Sequence, residues 1–162
     1  MALVERGPVT LLQYFTPTPL ATDLLIASRT IRLESNSPAV IEKTLAAFNQ
    51  SGISGLGHPQ FLWRVVTEEV AAAAPVWPHP CSFSKEGLSF FSFGQNGFVA
   101  IDARAALAVS FLPAAWVRHG RAFVGVFLKL LLTITAPCLG ISSDHVFLTS
   151  VSTAGGLSGD EN

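Results

Sequence analysis

The longest apolar run of the chain, RAFVGVFLKLLLTITAPCLGI, extends from Arg121 to Ile141. Its large side chains recur at steps of three and four residues, which places them on one face of an α-helix. The residues of this face are Phe123, Phe127, Leu130, Leu131 and Ile134. Val124, Leu128 and Leu132 form a second apolar face, so the predicted helix is apolar almost all round. Such a helix is either buried in protein or spans a bilayer.

Lys129 and Pro137 favour burial in protein over a membrane span. The run is long enough to cross a bilayer, which needs about 20 apolar residues. Lys129 would then lie near the bilayer centre, at a cost of roughly 3 kcal/mol on insertion scales. Pro137 stops or kinks the helix. We therefore predict a helix inside the protein, with Lys129 reaching solvent along its methylenes, and keep a membrane-associated protein as an alternative.

In the first half of the chain, apolar and polar residues first alternate as in a strand and then recur at the spacing of a helix. Apolar and polar residues alternate toward the end of a strand predicted from Leu24 to Glu34, with Ile31 and Leu33 on its buried face. Ser37 and Pro38 are typical of a helix start, as N-cap and first-turn residues. The predicted buried stripe of this helix is Ile41, Leu45 and Phe48.

Short strands separated by turns predict an antiparallel meander after a proline-rich segment. Neighbouring strands are joined by two predicted turns, one at Lys85-Glu86-Gly87 and one at Gly94-Gln95-Asn96-Gly97. The predicted strands of the meander run from Cys81 to Ser84, Leu88 to Phe93 and Phe98 to Asp102. Further strands are predicted from Phe61 to Val70, Ala105 to Phe111 and His145 to Val151.

This order of elements predicts an α+β fold. Its antiparallel or mixed sheet would contain the meander and pack on one long apolar helix and one shorter amphipathic helix. The predicted organisation is an arm of uncertain structure at residues 1–22, a single domain at 23–152 and a flexible tail at 153–162.

Composition narrows the classes of function. Charged residues are 13% of the 162 residues and apolar residues 49%, which predicts apolar contacts with another molecule. The net charge is −1 and no basic block is present, so we expect no nucleic-acid partner. The amino end carries Glu5 and Arg6 and lacks the apolar core of a signal peptide. With two cysteines expected to be free thiols, we predict a cytoplasmic protein.

Four segments carry a resemblance to a known family, and it covers about residues 24 to 151. They are Thr30 to Pro38, Phe90 to Phe98, Ile101-Asp102 and the apolar helix leading to Leu139-Gly140-Ile141. Their order resembles the amino-terminal half of HPr-kinase-like P-loop proteins. In that family a strand follows the helix, matching His145 to Val151, and a phosphate-binding loop comes next.

The sequence departs from that family at the phosphate-binding loop. A P-loop needs Gly-x-x-x-x-Gly-Lys-Ser/Thr to hold phosphates. After Val151 the chain has Gly155-Gly156-Leu157-Ser158-Gly159-Asp160, and no lysine follows Lys129. The resemblance therefore implies the front half of a kinase-like protein without its nucleotide site, with no cofactor, ATP binding or phosphoryl transfer.

Few residues of the sequence are candidates for catalysis, metal binding or ligand binding. An imidazole and a thiol lie two residues apart at His79 and Cys81 and could share a metal or form a nucleophile–base pair. Two further ligands are missing, so we predict no metal site and no catalytic residue. Asp102 is expected to pair with Arg104, and His145 follows an acid that points away from it on a strand. The candidate ligand-binding residues are His79, Cys81, Asp102 and His145.

We weigh two main hypotheses. The first is a non-catalytic domain that acts through protein–protein contacts, by self-association or with another protein. Its predicted interface is Phe123, Phe127, Leu130 and Leu131. The second is a small enzyme or ligand-binding protein with a pocket between the meander and the long helix. The phenylalanines around Phe90 and Phe98 are expected in the core, although alternate ones exposed on a sheet would form a contact patch.

Overall fold

The computed structural model describes residues 16–52, 57–69, 81–92 and 97–142. These residues form seven strands and three helices in the following order. They are β1 (Leu20–Ile26), β2 (Arg29–Ser35), α1 (Pro38–Ala47), β3 (Phe61–Glu68), β4 (Cys81–Lys85), β5 (Leu88–Ser92), β6 (Phe98–Asp102), β7 (Leu107–Pro113), α2 (Ala114–Arg118) and α3 (Gly120–Leu139). The strand predicted from His145 to Val151 and the predicted tail lie outside the described residues.

The strands form one mixed sheet in the order β1-β2-β3-β7-β6-β5-β4. The adjacent strands β2, β3 and β7 are parallel, and all other neighbours are antiparallel. A meander joins β4, β5, β6 and β7, and α1 connects the parallel neighbours β2 and β3. The predicted α+β fold, with a meander and one long apolar helix, is confirmed.

The single strand predicted from Leu24 to Glu34 is wrong, because the chain turns back on itself at Ala27 and Ser28. Their φ angles are 47° and 64°, and the turn joins β1 to β2 as a tight hairpin. A two-residue turn with positive φ normally carries Asn or Gly, and neither residue is present here. β1 begins at Leu20, within the segment expected to be an arm. The alternation within β2 is confirmed, since Ile31 and Leu33 are fully buried.

α1 begins at the predicted residue, Pro38, with Ser37 as its N-cap. Its buried residues are Val40 and Thr44, whereas the stripe predicted from spacing lies at the margin of the core and is partly exposed. That stripe is Ile41, Leu45 and Phe48. α1 contacts both the sheet and α3, so its apolar side chains are divided between two neighbours. The prediction from residue spacing had assumed that α1 packs on a single neighbour.

α3 contains a π-helical stretch at Phe123–Leu128 between α-helical ends. In a regular α-helix, Phe123 and Leu139 would point about 160° apart, since sixteen residues at 3.6 per turn do not complete whole turns. π turns use more residues each and return both side chains to one face. The buried residues are Phe123, Phe127, Leu128, Leu131, Leu132, Thr135, Ala136 and Leu139.

The π stretch also corrects the predicted faces of this helix. Leu130 and Ile134, which were predicted on the buried face, are only half-buried. Leu128 and Leu132 lie in the core instead, and Val124 is exposed. Lys129 is exposed, in line with the expectation that it reaches solvent.

By length and composition alone, α3 could cross a membrane, and among the described residues it is the one helix that could. In this structure it packs on the inner face of the sheet, which is the face that α1 and α3 cover. Phe123, Phe127 and Leu131 share one buried cluster with Trp63 and Val65 of β3. Of the most apolar window of α3, 44% is buried inside the protein.

Candidate functional site

The sheet face opposite the helices, which we name the outer face, carries ion pairs on its first three strands. Arg32 Nε donates to Asp23 Oδ1 at 3.0 Å, and Arg64 Nε donates to Glu34 Oε2 at 3.2 Å. Asp23 is only 2% exposed, and its hydrogen bond raises the pKa of Arg32. Each of these charged side chains is paired with an opposite charge of the same chain, so this half of the outer face offers few free ionic partners.

Four phenylalanines continue across the other half of the outer face, and we name them the aromatic strip. They are Phe83, Phe90, Phe98 and Phe111. Strand register places all four on the same face, because Phe83 is opposite Phe90 and Phe98 is opposite Phe111. The rings of Phe90 and Phe98 stack with centroids 5.2 Å apart, and those of Phe98 and Phe111 with centroids 4.9 Å apart.

Exposure rises along the aromatic strip toward the end of the sheet. Val109, near the middle of the outer face, is fully buried. Phe98 and Phe111 are half-buried, Phe90 is 38% exposed and Phe83 is 64% exposed. A large aromatic side chain that is two-thirds exposed beside a second partly exposed one forms a small apolar patch, which is a feature of contact surfaces.

The two end strands of the sheet differ in how their free backbone groups are satisfied. On β1, the side chain of Gln50 binds Leu25, with Oε1 accepting the N–H at 2.9 Å and Nε2 donating to the carbonyl at 2.7 Å. This amide occupies the outer edge where another strand would pair. On β4, by contrast, Ser82, Phe83, Ser84 and Lys85 are all exposed, and no described side chain closes the edge.

The structure shows a crevice at the carboxyl ends of the parallel strands. This crevice has a volume of about 320 Å³. Three parts of the chain line it: the start of α1, the end of β3, and α2. The lining residues are Asn36, Ser37, Pro38, Ala39, Thr67, Glu69, Ala114, Val117 and Arg118. Ser37 makes no side-chain cap, so the first-turn N–H groups of α1 are not held by their own N-cap side chain.

The polar groups of the crevice are held by hydrogen bonds. Thr67 N–H donates to Asn36 Oδ1 at 2.9 Å, and Asn36 Nδ2 donates to the Thr67 carbonyl at 2.8 Å. Arg118 Nη1 donates to Glu69 Oε1 at 2.8 Å. This hydrogen bond lowers the pKa of Glu69 and raises that of Arg118. Both side chains are well exposed, so the pair forms a rim that a polar ligand could rearrange.

The ligand-binding candidates predicted from sequence do not form one site among the described residues. His79, His145 and the side chain of Cys81 lie outside them. Cys81 and Asp102 belong to opposite ends of the meander, two strands apart, which separates their backbones by roughly 16 Å. Asp102 Oδ1 accepts the N–H groups of Arg104 and Ala105 at 3.0 Å each. Asp102 therefore serves the β6–β7 turn, and the predicted side-chain ion pair with Arg104 is replaced by these backbone bonds.

The predicted interface on α3 is also corrected. Phe123, Phe127 and Leu131 are fully buried within the chain itself, and Leu130 is half-buried. In this conformation the core of the chain itself covers the first three, whereas Leu130 keeps part of its surface exposed. The large hydrophobic residues exposed on α3 are Val124 and Val126.

The sequence singled out two residues of the aromatic strip, Phe90 and Phe98, which were expected in the core, with an exposed contact patch as the alternative. Phe90 and Phe98 lie on the outer face, whereas Phe91 packs against the core. Phe83 was missed, although the Glu86-Gly87 turn fixes it opposite Phe90. Phe111 was missed, although it lies on β7, the strand that follows β6 and pairs with it antiparallel.

The fold and these surfaces define an α+β protein with an open aromatic sheet end and a crevice beside α1. No protein-family model, curated protein or solved structure matches the chain. The open sheet end and the crevice are therefore the features from which a function can be inferred.

Proposed function

We propose that this chain is a non-catalytic domain that works through protein–protein contacts made by the open end of its meander. The observation that carries the proposal is the 64% exposure of Phe83 on an end strand whose neighbouring side chains are also exposed. Phe83 adjoins Phe90, which is stacked on the half-buried Phe98. A partner that covers Phe83 would extend an aromatic packing arrangement that already exists.

The free energy available from burying Phe83 and Phe90 indicates a reversible contact. Burying a phenylalanine completely is worth roughly 1.5–3 kcal/mol, and Phe83 and Phe90 are already partly covered. Part of that gain is offset by the entropy lost on association. A contact centred on these two residues is small beside the standard interface of about 800 Å² per partner. We therefore propose an association that depends on protein concentration.

Substitutions at two exposed apolar positions test the proposal. Analytical ultracentrifugation over a concentration series should show self-association of the wild-type chain, weakened at least tenfold by Phe83→Ser. Val126→Ser is the control, because Val126 is an exposed apolar residue on the other side of the sheet. A chain that stays monomeric at about 100 μM, a concentration that corresponds to a free energy of association of roughly −5.5 kcal/mol, would overturn self-association. Equal effects of both variants would overturn the role of the meander.

The crevice supports a second candidate function, the binding of a small polar molecule. In sheets with parallel strands and crossover helices, ligands bind outside the carboxyl ends of the strands, which is where this crevice lies. Its volume of about 320 Å³ is at the lower end for small-molecule sites. Ligand-observed NMR with a library of small carboxylic acids and amides tests this function. Hits should be lost in Ala39→Phe, which fills the crevice, and kept in Val126→Phe. The absence of hits with the wild-type chain would overturn it.

A further inference from the structure

We infer that the partner covering the open meander end is a second copy of this chain, whose β4 pairs with β4 antiparallel about a two-fold axis at Phe83. This inference rests on the proposed function and names its partner. It follows from the hydrogen-bonding direction of β4, from the position of Phe83 in the strand and from the closure of the opposite sheet edge.

The β4–β5 turn determines which backbone groups of β4 are free. Glu86 and Gly87 both have positive φ, 52° and 86°, as in the turns that close two-residue hairpins. The flanking pair, Lys85 and Leu88, then exchanges both of its N–H···O bonds, and the pattern alternates along the strand. Ser82 and Ser84 therefore direct their N–H and C=O groups away from β5, toward the free edge.

Phe83 is the middle residue of the five in β4. A two-fold axis through it is the register that overlaps both strands completely. Ser82 of each copy then faces Ser84 of the other, and each of these two pairs exchanges two N–H···O bonds. All the outward backbone groups of Ser82 and Ser84 are satisfied in this arrangement.

The same register places the side chains favourably. The two Phe83 residues form a non-hydrogen-bonded pair, in which side chains of opposite strands are closest. They would join the aromatic strips of both copies into one continuous row. Lys85 of each copy faces Cys81 of the other, so the two lysines lie about 14 Å apart along the strands. No like charges oppose each other directly.

The closed β1 edge makes this contact a dimer and not a filament. Gln50 occupies the outer backbone groups of Leu25, so β1 cannot accept the β4 strand of another copy there. A contact of one edge with itself has two-fold symmetry and closes at two subunits. The product is one continuous sheet of twice seven strands.

Cysteine cross-linking tests the register, in a chain carrying Cys81→Ser and Cys138→Ser. A non-hydrogen-bonded antiparallel pair has Cα atoms about 4.5 Å apart, which is within disulfide range. Phe83→Cys should therefore form a covalent dimer under mild oxidation. Lys85→Cys, which is also exposed on the same strand, should not, because its two copies are about 14 Å apart. Val126→Cys controls for random collision.

A second pair of variants keeps Phe83 intact. Ser82→Cys and Ser84→Cys chains should cross-link when mixed and much less when each is oxidised alone, since only the mixture brings the two positions opposite each other. Ser82→Pro removes one outward N–H without breaking the β4–β5 ladder, and we expect it to weaken dimerisation at least tenfold. Ser82→Ala keeps the N–H and should leave dimerisation unchanged.

The outcomes separate this inference from the proposed function. A chain that dimerises with sensitivity to Phe83→Ser, but shows no cross-linking at Phe83→Cys or between the mixed chains, overturns the register and leaves the proposed function standing. A chain that is monomeric and captures no second copy by any of these cysteines overturns both. Cross-linking that is as strong at Lys85→Cys as at Phe83→Cys also overturns the inference.

Discussion

Gln50 closes the outer edge of β1 by hydrogen-bonding both backbone groups of Leu25, at 2.9 and 2.7 Å. The two residues are 25 positions apart, and Gln50 follows α1, the helix that crosses from β2 to β3. A glutamine amide has the same donor and acceptor pair as a peptide group. It therefore imitates a neighbouring strand at one position and protects the edge from pairing with other chains.

We predict that Gln50→Ala destabilises the chain and exposes this edge. Loss of the two hydrogen bonds should lower the free energy of unfolding by about 1 kcal/mol, measured by urea denaturation. Static light scattering should show species larger than a dimer, because both ends of the sheet would then be open. Gln60→Ala is the matched control, since it makes the same substitution at an exposed position just before β3. Assemblies that remain dimers or smaller in Gln50→Ala would contradict the protective role.

The sequence predicted those parts of the fold that depend on local patterns. The meander followed from short runs with turns at Glu86-Gly87, and the fold class followed from the order of elements. The β1–β2 hairpin was missed because Ala27 and Ser28 are not typical turn residues. The position of β3 beside β7 could not be predicted, because it joins strands separated by the whole meander.

The candidate site was less predictable than the fold, for a related reason. Phe90 and Phe98 were recognisable as concentrated aromatics, but which of them faces solvent depends on what covers each face of the finished sheet. The interface was predicted on α3 because its apolar character was visible in the sequence. The burial of Phe123 and Phe127 results from packing on strands that lie far away in the chain.

The register of α3 gives a second prediction. A regular α-helical pattern places Leu130 and Leu131 together on one apolar face, whereas the π stretch buries Leu131 completely and leaves Leu130 half-buried. Leu131→Ala should lower the free energy of unfolding by about 3 kcal/mol. Leu130→Ala should lower it by about 1 kcal/mol, since less apolar area is lost. Urea denaturation measures both, and equal losses would show that the π stretch does not set the register in solution.

Two glycines in contrasting surroundings give a third prediction. A Cβ atom at Gly97 would lie 2.7 Å from the carbonyl oxygen of Phe111, close to Trp116. Gly97→Ala should therefore force β6 away from β7 and lower the free energy of unfolding by about 1–3 kcal/mol. A Cβ atom at Gly125 of α3 meets nothing within 4 Å.

Gly125→Ala is the matched control for this substitution. It should raise the stability by up to about 1 kcal/mol, because alanine favours helical conformations more than glycine does. Thermal unfolding followed by circular dichroism compares the two variants. A Gly97→Ala chain as stable as wild type would contradict the close packing of β6 on β7.

Two of the three described arginine–carboxylate pairs differ strongly in burial and give the last prediction. Asp23 is 2% exposed beside Arg32, whereas Glu69 is 75% exposed beside Arg118. Arg32→Met leaves a buried carboxylate without its guanidinium and should cost about 2 kcal/mol, less than a fully buried pair because Arg32 is itself 40% exposed. Arg118→Met should have a far smaller effect on unfolding, since exposed pairs contribute little.

The exposed pair is better followed by titration. The hydrogen bond from Arg118 lowers the pKa of Glu69 below its ordinary value of 4.5. The pair therefore favours the folded state above that pH, and its contribution is lost as the pH falls through the lowered pKa. Carboxyl-carbon NMR should show Glu69 titrating below 4.5 in the wild-type chain and at higher pH in Arg118→Met. Lys129→Met, which removes a charge elsewhere, should leave the Glu69 titration unchanged, and an equal shift in both variants would mean that the hydrogen bond is not its cause.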